Sequence, residues 1–201
     1  MIVIAFALGL STRTGQAVLD EVAAKLKKVN ALSVTLTTHY PGNGRTTIER
    51  FWVLKGGHMR YEQENSEILL SPASAWVIWP IKKTYKRTAV PPKGSPRNPF
   101  SGMPGLFGEN DLKAIGDSGE GNWYGQPSIG VLMDARKMLA PKAKLVYYFA
   151  RTTKLPLGFQ VQQGNFKAEG VYSGLKVDPQ LTPKDFLFQP GKGWKVETIK
   201  K

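Results

Sequence analysis

Thr46-Thr47-Ile48-Glu49-Arg50-Phe51-Trp52-Val53-Leu54-Lys55, then Gly56-Gly57, then His58-Met59-Arg60-Tyr61 is the stretch whose reading decides the fold. It continues through Ile68-Leu69-Leu70-Ser71, Ala75-Trp76-Val77-Ile78-Trp79-Pro80 and Lys82-Lys83-Thr84-Tyr85-Lys86-Arg87. Short runs rich in β-branched and aromatic residues, separated by turn formers, read as consecutive antiparallel strands. Three of the chain's five tryptophans lie here, and neither face of the strands is plainly polar. A sheet that is apolar on both sides must cover both sides or hold something.

Upstream, Leu32, Val34 and Leu36 alternate with Ser33, Thr35 and Thr37, the period of a strand with one buried face. Before them, Val18, Leu19, Val22, Ala23, Leu26 and Val29 repeat near a 3.6 period, which predicts a helix over 16–31 with lysines in its last turns. Pro41-Gly42-Asn43-Gly44 is a turn into the opening stretch. Downstream, Glu62, Glu64 and Glu67 read as solvated loop charges. Residues 116–125 are polar and Gly-rich, and 128–139 fit a strand or a helix. Residues 143–152, 157–163 and 165–172 read as strands, with a last apolar segment at Phe186-Leu187-Phe188.

Between Pro91 and Gly108 the texture changes. Five of the 14 prolines fall there, interleaved with Phe100, Met103, Leu106 and Phe107. A plain linker would lack those apolar residues, so this is a lid or a packed loop with its own anchors. Residues 110–115 read as a short helix behind a capping Asn110.

The chain has 201 residues and a net charge of +13, from 28 Lys and Arg against 15 Asp and Glu. It has no cysteine, which excludes disulfides and thiolate chemistry. No apolar run reaches the roughly 18 residues of a membrane-spanning helix. Ile2 to Leu10 is apolar and leads into small and polar residues, the texture of a secretory signal without its basic leading region. Residues 1–17 are therefore expected to be an export signal and 18–201 one domain, with a lid insertion over about 91–115. The fold expected is α+β: a large curved antiparallel sheet, a half-barrel of about 10–11 strands, wrapped over an N-terminal helix and a short lid helix or loop.

No catalytic constellation stands out. His39 and His58 lie on different predicted strands without a ligand motif, there is no nucleophile elbow, and no glycine spacing cradles phosphate. The expectation is a protein that is not an enzyme and carries no metal or cofactor. Between Glu67 and Glu109 every charge is positive: Lys82, Lys83, Lys86, Arg87, Lys93 and Arg97. Basic residues beside Trp76, Trp79 and Tyr85 suit nucleic acid, anionic headgroups or an acidic docking partner, and equally guard an edge strand.

In order, these motifs resemble the periplasmic outer-membrane lipoprotein carriers of the Lol pathway and their wider superfamily. The resemblance rests on the Lys27-Lys28-Val29-Asn30-Ala31-Leu32-Ser33 segment, the 51–61 hairpin, the hairpin of 67–71 and 75–80, Asn98-Pro99-Phe100 at the start of the lid, and Asp185-Phe186-Leu187-Phe188-Gln189-Pro190-Gly191-Lys192-Gly193-Trp194. It implies a half-barrel with an apolar cavity for acyl chains. Phe51, Val53, Met59, Tyr61, Trp76 and Ile78 are the candidate lining, and Phe100, Met103, Leu106 and Phe107 the candidate lid. It also implies a latch position at Lys55, where the family has an arginine whose guanidinium fork lysine lacks. Pro72-Ala73 replaces the family's Asp-Gly turn. The implied partners are an acylated lipoprotein or lipid cargo and a membrane-protein docking partner at the Lys82–Arg97 patch. The protein is expected to be periplasmic and monomeric and not to bind nucleic acid. The same fold would also serve a regulatory domain that senses lipid or envelope stress.

Overall fold

The computed structural model describes residues 13–88, 113–134 and 143–197. One helix, α1 (Gly15–Leu26), precedes strands β1 (Ala31–Tyr40), β2 (Arg45–Leu54), β3 (His58–Gln63), β4 (Ser66–Ser71), β5 (Ser74–Trp79) and β6 (Thr84–Thr88). After the undescribed segment come β7 (Gly119–Trp123), β8 (Gln126–Met133), β9 (Lys144–Ala150), β10 (Pro156–Gln163), β11 (Phe166–Val177), a short 3-10 helix (Pro183–Phe186) and β12 (Lys195–Val196). All the described strands belong to one sheet in the order β12-β6-β5-β4-β3-β2-β1-β11-β10-β9-β8-β7. The sheet is open, since β12 and β7 stand at opposite ends. It is curved over α1 as expected, with one strand more, and β12 makes it mixed by pairing parallel to β6.

Thr14 starts α1: its extended backbone leaves the helix and its hydroxyl accepts the Ala17 N–H at 3.3 Å, a cap that contributes about 1 kcal/mol. Val18, Val22 and Leu26 then face the sheet. The N-terminal end of α1 sits so close to β8 that a Cβ on Gly15 would meet Ala114 and Val131. The domain boundary expected after residue 17 therefore falls inside the first turn of the helix. Helix α1 ends at Leu26, earlier than expected, because Ala31 already opens β1. The Asp178 carboxylate accepts the Asn30 and Ala31 N–H groups at 2.7 and 3.0 Å and holds that entry.

Alternation settles the faces. Leu32, Val34 and Leu36 oppose Val53, Phe51 and Glu49, and these lie on the α1 side. From β8 to β11 the same side carries Ile129, Val131, Met133, Leu145, Tyr147, Phe149, Val161, Ala168 and Tyr172, which with α1 form the core. Residues 128–133, which fit helix or strand by sequence, are strand, because β9 supplies the register. The polar run 116–125 contributes β7, and Glu62 and Glu67 stand on β3 and β4 rather than in a loop. Of the helix expected over 110–115, only 113–115 are described. They run extended along β8, with the Ile115 N–H donating to the Leu132 carbonyl at 2.8 Å.

The outer face is covered differently. Phe186-Leu187-Phe188 is not a strand; Pro183–Phe186 is the short 3-10 helix and the segment crosses the sheet as a strap. Phe186 is 1% exposed, with its ring 5.6 Å from His58. Phe188 stands 5.8 Å from Trp76 and 5.3 Å from Tyr85, and Trp194 packs edge-on against it at 5.1 Å. The strap ends as β12, with the Lys195 N–H donating to the Lys83 carbonyl at 2.9 Å. This occupies part of the β6 edge, which would otherwise offer unpaired backbone groups to another chain.

Candidate functional site

The two sides of the sheet separate the residues named from sequence. Phe51, Val53, Met59 and Tyr61 stand together on the α1 side, since Phe51 opposes Tyr61 and Val53 opposes Met59. The Phe51 and Tyr61 rings are 4.8 Å apart. The row continues through Ile68 and Leu70 on β4 to Val77 and Ala75 on β5. Trp76 and Ile78 were expected with them but alternate to the outer face. Trp76 lies there under Phe188, and Ile78 is 2% exposed. Both faces of β5 are apolar, so its sequence does not reveal the register, and a one-residue error exchanges the faces. Ile68, Leu70 and Val77, not singled out from sequence, take the inward positions and are half-buried.

Lys55 is exposed and falls in the turn after β2, not on the strand. Its backbone N–H donates to the Asn30 carbonyl at 2.7 Å. Pro72-Ala73 makes a two-residue turn closed by Ser71 and Ser74, whose hydroxyls are 2.9 Å apart. The lid candidates Phe100, Met103, Leu106 and Phe107, and the basic residues Lys93 and Arg97, lie outside the described residues. The rest of the basic set is not one surface. Lys82 and Lys83 occupy the β5–β6 turn, whereas Lys86 and Arg87 project from opposite faces of β6. Arg87 stacks over Trp76 at 5.4 Å on the outer side. Among the described residues no group of three His, Asp or Glu converges as a metal site would require.

A polar cluster interrupts the apolar inner face toward the Gln63 end of β3. The Glu49 Oε1 accepts the Tyr61 hydroxyl at 2.6 Å and the Gln63 side-chain amide at 2.9 Å. Tyr172 stands one strand beyond Leu36 from Glu49, 7% exposed, and its hydroxyl has no partner. The Thr47 hydroxyl, two residues before Glu49 on the same face, is likewise buried without a partner. Glu49 is in phase with Phe51 and Val53, and that phase is the sequence signal for a carboxylate on the inner face.

Burial pushes the Tyr61, Tyr147 and Tyr172 phenols far above the ordinary tyrosine range. The Glu49 carboxylate adds to the effect at Tyr61 and Tyr172, and Tyr172 adds to it at Tyr147. The folded protein therefore keeps protons that the unfolded chain releases above about pH 10. This stabilisation is fully present below that pH and is lost as pH rises toward the folded values. The urea midpoint is expected to fall steeply above about pH 10, with Tyr172→Phe flattening the fall. An alkaline limb that is identical in the variant would contradict the assignment.

On the outer face, Arg60 stacks over Trp52 at 5.2 Å and pairs with Glu62 at 2.6 Å and Glu67 at 2.9 Å. Burial raises the Glu67 carboxyl above its usual range, against the pull of Arg60. A shallow cleft of about 110 Å³ remains between Trp52, Arg60, Leu181, Asp185 and Phe186, where the strap meets the sheet.

No protein-family model matches the chain, and no curated protein matches it. Solved structures do. An uncharacterized conserved protein from Thermus thermophilus is 14% identical, with a TM-score of 0.60 over 90% of this chain and 97% of that one. The Pseudomonas aeruginosa MucA/MucB complex contains a chain 16% identical, with a TM-score of 0.50 over 92% of this chain and 64% of that one. LprF from Mycobacterium bovis is 10% identical, with a TM-score of 0.49 over 88% and 97%. The first two likenesses show a shared fold at low identity.

Proposed function

We propose that this protein is a non-enzymatic, exported binding protein that shelters acyl chains of lipoproteins or lipids and carries them through an aqueous compartment toward the outer membrane. The observation that supports this most is the extent of the inner apolar face. Helix α1 has 12 residues, a length of about 18 Å, whereas twelve strands at about 4.8 Å span more than 50 Å. The helix packs at the β8 side and its core partners reach β3. Tyr61, Ile68, Leu70 and Val77 continue the apolar surface beyond it. An acyl chain of about 15 methylenes prefers shelter from water by roughly 12 kcal/mol, enough to require an escort and to reward such a face.

Gentle purification followed by native mass spectrometry is expected to show a mass increment of acyl lipid, and delipidated protein should take up a fluorescent fatty acyl probe. Substituting Val77 with Asp should weaken uptake at least tenfold. A protein that arrives without lipid and takes up no probe would refute the reading. The fold shared with MucB, solved in complex with MucA, supports a second reading as a regulatory domain that docks on a partner protein. Transfer of cargo between vesicles separates the two, because the regulatory reading requires a stable protein complex and no transfer.

A further inference from the structure

We infer that the inner face carries a headgroup subsite, built on Glu49, Tyr61 and Tyr172, for an amphiphile whose polar end donates hydrogen bonds and bears no negative charge. The inference rests on the carrier reading and narrows it.

Glu49 stands in the inward phase of β2 beside Phe51 and Val53. Both of its hydrogen bonds, from Tyr61 and Gln63, fall on Oε1, leaving Oε2 with acceptor capacity. No Lys or Arg of the described residues pairs with it. The arginines nearest in sequence are engaged or placed elsewhere: Arg50 lies on the outer face against Glu62, and Arg45 stands at the exposed start of β2. A structural carboxylate on an apolar face would normally have a cation beside it.

Tyr172 supplies the second, independent observation. Its hydroxyl is buried without any partner, and Leu36 alone separates it from Glu49 across the sheet. The Glu49 charge reaches it, adding to the effect of burial on the phenol. A buried hydroxyl left unpaired is destabilising, and phenylalanine would fill the same space without that penalty. With the Thr47 hydroxyl, two orphaned hydroxyls and one under-used carboxylate share a single face. Phe51, Val34 and Leu36 continue the same face as apolar floor. Gln63 is exposed, so the polar end lies at the mouth of the face and the apolar rows lead inward. An alkyl chain entering this face would place its head at the cluster. A hydroxyl or ammonium there finds acceptors in Glu49, Tyr172 and Thr47, whereas a carboxylate or phosphate meets the Glu49 charge.

The test compares three probes of equal chain length on delipidated protein: a monoacylglycerol, an alkylamine and the fatty acid, at neutral pH. The wild-type protein is expected to bind the monoacylglycerol or the alkylamine about tenfold more tightly than the fatty acid, the factor of one hydrogen bond to a charged group. Glu49→Gln retains an acceptor for Tyr61 and should remove the preference by strengthening the fatty acid. Tyr172→Phe should weaken the preferred probe while leaving the fatty acid unchanged. Equal affinity for all three probes in the wild type, or a preference that survives Glu49→Gln, overturns the subsite and leaves the carrier reading standing. No binding of any probe overturns both.

Discussion

Replacing Phe186 with alanine is expected to lower the stability of the fold by about 3–5 kcal/mol, the range for a fully buried aromatic side chain removed from a packed site. Phe186 is 1% exposed and fastens the strap to the outer face beside His58, between the Arg60 cluster and the Phe188 contacts with Trp76 and Tyr85. Because whole domains are stable by only about 5–15 kcal/mol, the variant should show a large drop in urea midpoint. Release of the strap should also shift tryptophan emission to the red, since Trp52 and Trp76 lie beneath it. Leu187→Ala is the control: Leu187 is 50% exposed, and its loss should change stability by less than about 0.5 kcal/mol. Equal effects of the two substitutions would show that the strap is not anchored through Phe186.

The second large effect is expected at Gly158. Trp123 leaves the β7 end and lies across this glycine, stacked on Tyr148 with ring centroids 3.8 Å apart. A Cβ at position 158 would collide with the Trp123 indole and with the Gly170 carbonyl oxygen of β11. The indole could swing away, but the backbone oxygen belongs to the ladder and cannot yield without moving β11. Gly158→Ala should therefore fall at the upper end of overpacking effects, about 3 kcal/mol, measured by urea denaturation. Gly121→Ala on β7 adds a methyl where nothing stands within 4 Å and should be close to neutral. If the two alanines behave alike, the Trp123–Gly158 packing does not hold the β7 end in place.

The architecture was legible because the hairpins of β2 to β5 announce themselves. Aromatic and β-branched runs alternate with Gly56-Gly57 and Pro72-Ala73, and adjacency in sequence becomes adjacency in the sheet. The inward set Phe51, Val53, Met59 and Tyr61 came from the family resemblance, and the pairing of β2 with β3 puts all four on one face. Legibility failed where alternation carried no contrast. Trp76 and Val77 are both large and apolar, and only the Ile68 and Leu70 pairing shows which points inward. Nor does the apolar segment Phe186-Leu187-Phe188 announce its role, because its partner is a sheet face, not a sheet edge. The basic run looked like one patch because linear charge does not record that Lys86 and Arg87 part to opposite sides. Tyr172 carried no sequence signal beyond its place in a strand, since its unpaired hydroxyl is a property of what surrounds it.

The placement of β1 between β2 and β11 bears on how the chain assembles. β2 to β6 form one meander and β7 to β11 another, each built by pairing neighbours in sequence. The first, continued by β1, meets the second in the sheet along the β1–β11 ladder among the described residues, where Thr35 opposes Ser173 across most of the chain's length. Closing so long a loop is entropically unfavourable before its contacts form, so this seam is expected to zip after the two meanders exist. During synthesis, the first meander must wait with the exposed edge of β1 until β11 arrives. That waiting edge is where a chaperone, or an unwanted second strand, would compete for the nascent protein.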